Sequence, residues 1–246
     1  MKRCFAAASA AAFLCVVFLS GPAQAWAADA PHDAVKPVPR NDTWWQNRHK
    51  SFNERIAKGN VDVLMIGDSI THGWEGKGKE VWAEYYAKRN AVNLGIGGDR
   101  TQHVLWRLEN GNIEGISPKL AVLMIGTNNS GDNTPVEIAE GIAMIVKKLR
   151  TELPEMKILV LAIFPRGANA DDPRRKVNEQ ANEIVEMMLR VAGDPKIEYL
   201  DIAEVFLNDD GVLPKEIMPD LLHPHEKGYE IWAEAVDPTI KRMLGE

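Results

Sequence analysis

Four short stretches of the chain carry residue types suited to acyl transfer. Gly67-Asp68-Ser69-Ile70 places a hydroxyl immediately beyond an apolar run, where a side chain can face a cleft. It is not the G-x-S-x-G elbow of α/β-hydrolases, and alone it reads more simply as a turn with a capping serine. Asn93-Leu94-Gly95-Ile96-Gly97-Gly98-Asp99 is glycine-rich, and glycines let a backbone N–H approach a bound group closely. Such a turn can also cradle a phosphate, but this one lacks the third glycine at dinucleotide-binding spacing. Gly126-Thr127-Asn128-Asn129 offers a neutral side-chain amide, either a donor to a developing oxyanion or an ordinary Asx-turn. Asp220-Leu221-Leu222-His223-Pro224 sets a carboxylate three residues before an imidazole. A neutral imidazole can take a serine proton while a carboxylate holds its other nitrogen.

The other five histidines are His32, His49, His72, His103 and His225. His225 competes most directly with His223, from which it is two residues away, and His72 is close to Ser69 along the chain. The two cysteines, Cys4 and Cys15, both lie at the extreme N-terminus. The rest of the chain therefore has no disulfide, no thiol nucleophile and no cysteine metal site, and nothing calls for a metal or organic cofactor.

The elements that must position these groups alternate strand-like and helix-like patterns. Short apolar runs at 61–66, 91–96, 120–125, 157–164 and 197–200 read as buried strands. Between and after them, 79–88, 101–109, 135–153, 173–191 and 226–244 read as helices, with a further helix over 44–57. Alternating strands and helices imply βαβ units, and hence an α/β fold: a flavodoxin-like three-layer αβα sandwich around a five-stranded parallel sheet. In such sheets ligands bind beyond the carboxyl ends of the strands, where all four stretches fall.

Composition narrows the class. The chain is 45% apolar and 26% charged, an ordinary globular balance, with a formal net charge of −6. That charge disfavours non-specific binding to nucleic acid or an anionic membrane. Lys2 and Arg3, an apolar run from Cys4 to Leu19, Gly21-Pro22 and Ala23-Gln24-Ala25 form the layout of a secretory signal peptide cleaved after Ala25. The run is short for a spanning anchor, so an exported, periplasmic or secreted protein without stable membrane insertion is expected. Residues 26–41 show no apolar period and are expected to be a flexible leader to one domain over 42–246.

Taken in order, VLMIGDSITHGW, NLGIGGDRTQHVLWRLENG, LMIGTNN and DLLHPHEKGY resemble the SGNH/GDSL hydrolase family. Within it, they are similar to the catalytic subunits of platelet-activating-factor acetylhydrolases, as is Pro165-Arg166-Gly167. The resemblance covers about residues 60–240. It implies Ser69 as nucleophile, His223 rather than His225 as base, and Asp220 as its partner. It further implies an oxyanion hole from the N–H groups of Ser69 and Gly98 and the side chain of Asn128, and a possible homodimer. Arg100 departs from the family pattern, where a neutral residue is common. The expected activity is hydrolysis of carboxylic esters through an acyl-serine, with a small-molecule or polysaccharide ester as substrate. Ile70 and Leu222 flank the nucleophile and the base in sequence. They would either narrow an acyl pocket, favouring acetyl, or pack in the core. A lysophospholipase or thioesterase, or an inactive carbohydrate-binding protein on the same fold, are the alternatives. Trp44, Trp45, Trp74, Trp82 and Trp106 offer sugar-stacking surface if they are not packed inside.

Overall fold

A computed structural model describes residues 31–246. The proposed signal peptide therefore lies outside the described residues. Five strands, β1 (Val63–Gly67), β2 (Ala91–Gly95), β3 (Leu120–Met124), β4 (Lys157–Leu161) and β5 (Ile197–Leu200), form one sheet in the order β2-β1-β3-β4-β5. Every pairing is parallel. The helices are α1 (Thr43–Ile56), α2 (Ser69–His72), α3 (Lys79–Tyr85), α4 (Thr101–Glu109), α5 (Pro135–Glu152), α6 (Pro173–Ala192) and α7 (Glu226–Leu244).

Side chains alternate across each strand, and both faces are covered. Leu64, Ile66, Ala121, Leu123, Ile158 and Val160 point to one face and pack with the apolar stripes of α1, α4, α5 and α6. Val63, Met65, Val122, Leu159 and Leu161 point to the other, against Trp232, Val236 and Ile240 of α7. Helix ends are capped by their own sequence: Thr134 and Glu137 form a reciprocal capping box ahead of Pro135, and Asp172 accepts from Arg174 and Arg175 ahead of α6.

The order β2-β1-β3-β4-β5 reverses the direction of winding at β1, which makes the carboxyl ends of β1, β2 and β3 the switch point of the sheet. The approach there is tight. A Cβ on Gly67 would lie 2.2 Å from Thr71 Oγ1 and 2.4 Å from the Met124 carbonyl, so only glycine lets α2 fold back over the end of β1.

The stretch expected to be a flexible leader is, over 33–40, part of the domain instead. Ala34 is fully buried and its carbonyl accepts from Thr101 Oγ1 at 2.8 Å. Asp33 accepts from Asn133 at 2.6 Å, and Arg40 donates to the Gly97 carbonyl at 2.6 Å. These are individual polar contacts rather than an amphipathic stripe, which is why no period announced them.

Candidate active site

Each chemistry-bearing residue stands where a strand gives way to a loop. Asp68 caps α2, its Oδ1 accepting the Ile70 N–H at 3.0 Å, so Ser69 is the first residue of that short helix. Tyr229 of α7 donates its hydroxyl to the Ile70 carbonyl at 2.7 Å. The serine is thus clamped from before and after, and its side chain is half-buried.

His223 approaches from the loop before α7. Its Nε2 lies 2.9 Å from Ser69 Oγ, and its Nδ1 lies 2.6 Å from Asp220 Oδ2. An ionised carboxylate only accepts, so Nδ1 carries the proton and Nε2 of the neutral ring is free to accept from the serine hydroxyl. The other oxygen of Asp220 accepts the backbone N–H groups of Leu222 at 3.1 Å and His223 at 2.8 Å. This tight loop forces Leu221 into the left-handed region at φ 59°, an uncommon conformation for a branched side chain. Burial acts to raise the Asp220 carboxyl, but the hydrogen bonds from the ring and backbone of His223 outweigh it and hold the group below its usual range. The Asp220 side chain is 56% exposed, so the base and its partner sit at an open rim rather than in a closed pocket. His225 faces elsewhere and pairs with Glu226.

The glycine loop after β2 turns at Ile96–Asp99, where the Asp99 N–H returns to the Ile96 carbonyl at 3.1 Å. Gly98 takes φ 79°, as the third position of such a turn requires. Among the described residues its N–H has no acceptor. Asn128 reaches the same turn from the loop after β3, donating one Nδ2 hydrogen to the Asp99 carbonyl at 2.9 Å. Its neighbour Asn129 is buried and knits that loop to Thr101, Gln102 and Asn133.

Beneath the turn is a buried ion pair. Asp99 accepts from Arg107 Nε at 2.8 Å and from Trp45 Nε1 at 2.7 Å. Arg107, itself fully buried, also donates to Asn112 at 2.8 Å. Burial pushes the Asp99 carboxyl up, and the guanidinium of Arg107 pulls it back. Asp68 is equally buried but lacks a cation in contact among the described residues, and its Oδ2 has no hydrogen-bond partner. Desolvation raises its carboxyl to about 7.

Of the two residues expected to narrow a pocket, Ile70 is 1% exposed and packed among Trp74, Tyr229 and Trp232, which makes it core. Leu222 is half-buried against the edge of the same cluster. Trp45 and Trp74 are buried, whereas Trp44 is 51% exposed and stacks on His72 at 5.9 Å. The Trp44–His72 pair is at the nucleophile: a Cβ on Gly97 would lie 3.7 Å from Trp44, 3.8 Å from His72 Nδ1 and 3.8 Å from Ser69 Cβ. Arg100 is held by Asp132, and Arg166 donates to the carbonyl and hydroxyl of Thr127, next to Asn128. Sequence reasoning passed over Asp68, Arg107 and Arg40, whose roles depend on burial and on long-range partners that no local spacing signals.

The profile of the GDSL-like lipase/acylhydrolase family matches residues 65–231. The chain belongs to this family. It is 37% identical over 217 residues to platelet-activating factor acetylhydrolase IB subunit alpha1 of Homo sapiens, covering 87% of this chain and 91% of that protein. It is 36% identical over 207 residues to the alpha2 subunit of Rattus norvegicus, covering 84% and 88%. Among solved structures, a GDSL-like lipase from Bacteroides thetaiotaomicron superposes with a TM-score of 0.61 at 19% identity, covering 80% of this chain and 97% of that one. A catalytic mutant of an acetylxylan esterase from Geobacillus stearothermophilus superposes with a TM-score of 0.59 at 20% identity, covering 76% and 95%. The protein is a serine esterase or acylhydrolase of the GDSL type with the SGNH hydrolase fold.

Proposed function

We propose that this GDSL hydrolase is exported and cleaves short-acyl esters, acetyl esters foremost, of a carbohydrate or lipid alcohol. The observation that carries the reading is the unbroken hydrogen-bonded line Asp220–His223–Ser69 beside the turn of Gly98 and Asn128. Ser69 Oγ attacks the ester carbonyl as His223 Nε2 takes its proton. The N–H groups of Ser69 and Gly98 and the side chain of Asn128 stabilise the tetrahedral oxyanion. Collapse expels the alcohol, which receives the proton from His223, and leaves an acyl-serine. Water, deprotonated by His223, then releases the acid and restores the serine.

The preference for acetyl rests on the relatives named acetylhydrolases. The exposed Trp44 ring beside the nucleophile offers a flat face to a sugar or lipid alcohol. Export rests on the N-terminal sequence alone.

Hydrolysis of p-nitrophenyl esters from acetyl to palmitoyl tests the reading. Turnover should be fastest on acetyl, fall steeply with chain length, and vanish in Ser69→Ala. A maximum at long chains would favour the lysophospholipase reading, and substantial esterase activity in folded Ser69→Ala would remove Ser69 as nucleophile.

A further inference from the structure

We infer that Arg40 is a positioning residue for the oxyanion hole: its guanidinium, by holding the Gly97 carbonyl, aims the Gly98 N–H at the substrate. This rests on the reading of Gly98 as an oxyanion donor. In a trans peptide the C=O of one residue and the N–H of the next point in opposite directions. No cis peptide occurs among the described residues. The Gly97 carbonyl is bound by Arg40 Nη1 at 2.6 Å, so the Gly98 N–H must point away from Arg40, and among the described residues it has no acceptor.

Without that bond the peptide has little to resist rotation. Both of its flanking residues are glycine, Gly97 is half-buried and Gly98 exposed, so φ and ψ meet few steric walls. A flip of this one peptide would put a carbonyl oxygen where the oxyanion must sit and turn a stabilising dipole into a repelling one. The neighbouring peptides are held separately: the Asp99 N–H by Ile96, the Asp99 carbonyl by Asn128, the Asp99 side chain by Arg107 and Trp45. Among the described residues, the Gly97 carbonyl has Arg40 as its hydrogen-bond donor.

Arg40 is suited to the task. Its side chain is 26% exposed, its Nε is steadied by Asp42 Oδ2 at 3.2 Å, and Asp99 Oδ1 lies 3.7 Å from Nη1. A guanidinium offers several donors in a rigid plane, so it can grip a carbonyl and a carboxylate together. It also lies on the side of Gly98 where a β-carbon would point, 3.1 Å away, which blocks the peptide from swinging toward it.

The test is Arg40→Met in the full-length protein, assayed with p-nitrophenyl acetate beside Arg40→Lys, Asn128→Ala and Ser69→Ala. Arg40→Met should lower kcat on the order of 10- to 100-fold, less than the roughly 10²–10³-fold expected for Asn128→Ala, with KM nearly unchanged. Affinity for a boronic acid, which forms a tetrahedral adduct on the serine, should fall in parallel with kcat. Added guanidinium ion at low, non-denaturing concentration should restore part of the rate, and Arg40→Lys should retain more than Arg40→Met. Wild-type kcat and boronate affinity in Arg40→Met, with Asn128→Ala and Ser69→Ala impaired, would overturn the role of Arg40 and leave the oxyanion hole standing. Full activity in Asn128→Ala as well would instead remove the oxyanion assignment on which the inference rests.

Discussion

Arg107→Leu should be among the most damaging single changes available outside the catalytic groups. Arg107 is fully buried and gives Asp99 its one close cationic partner, at 2.8 Å. Removing it leaves a carboxylate with no exposed surface facing the Trp45 indole and, farther off, Arg40 at 3.7 Å and His103 Nδ1 at 3.9 Å. Breaking a buried ion pair by deleting one partner costs about 3–5 kcal/mol, because the surviving charge is uncompensated. For a domain of this size, a urea m-value of about 3 kcal/mol/M converts that into a midpoint lowered by about 1–1.7 M. The loss carries a pH signature. Without Arg107, burial leaves the Asp99 carboxyl far above its unfolded value, so the folded state of the variant holds a proton that the unfolded state has released. Stability of the variant then falls as pH rises above about 4, the unfolded carboxyl value, and its deficit against wild type widens. Replacing Asp99 by Asn in the same background keeps an acceptor for Trp45 without the charge, and should recover at least half of the loss at pH 8. A midpoint within about 0.3 M of wild type, or a double variant no more stable than the single one, would refute the argument that an uncompensated charge under the glycine turn is what the guanidinium prevents.

Three further outcomes follow from particular contacts. Gly98→Ala places a β-carbon at φ 79° and 3.1 Å from Arg40 Nη1, so it should cost about 1–3 kcal/mol in urea unfolding and lower kcat more than it raises KM. Asp68→Asn removes a carboxyl that folding raises to about 7. Since the folded form holds the proton more tightly than the unfolded one, wild-type stability from this group declines as pH climbs from about 4 to 7. The melting temperature of Asp68→Asn should therefore gain on wild type across that window in calorimetry, and a constant difference would contradict it. Trp44→Ala should leave the rate on p-nitrophenyl acetate within about 3-fold while weakening KM for an acetylated oligosaccharide or lipid, since an exposed ring can add binding without touching the reacting atoms.

The sheet was legible because its strands are buried on both faces and read as bare apolar runs; β5, and α4 and α7 among the helices, stand where the pattern placed them. The strand ends were overrun where burial continues past the ladder, as at Ile96, Ile125 and Ala162–Phe164, which are buried loop rather than strand. A four-residue helix such as α2 is too short for any period, so the capping of Ser69 by Asp68 had no signature beyond the tripeptide itself. At the site, Ser69, Asp220 and His223 come together as their loops suggested, and His225 does not join them. Ile70 illustrates the opposite case: adjacency to a nucleophile in sequence says nothing about which way the next side chain points, and on the first turn of α2 it points into the core. Arg40 and Arg107 were invisible because a lone arginine announces neither its burial nor its partner.

The hydrogen bond between Ser69 and His223 spans 154 residues of chain. Four strands and six helices are complete before β5 and the base-bearing loop are even synthesised. A chain that emerges N-terminus first can thus assemble most of its sheet while the serine still lacks a base, and it gains hydrolytic competence only when its last tenth docks. For an enzyme that attacks acyl groups, lateness of this kind keeps the nascent or partly folded chain inert toward the esters around it. It also makes esterase activity a sensitive report of complete folding, because a chain cut after β5 retains the whole sheet and none of the base.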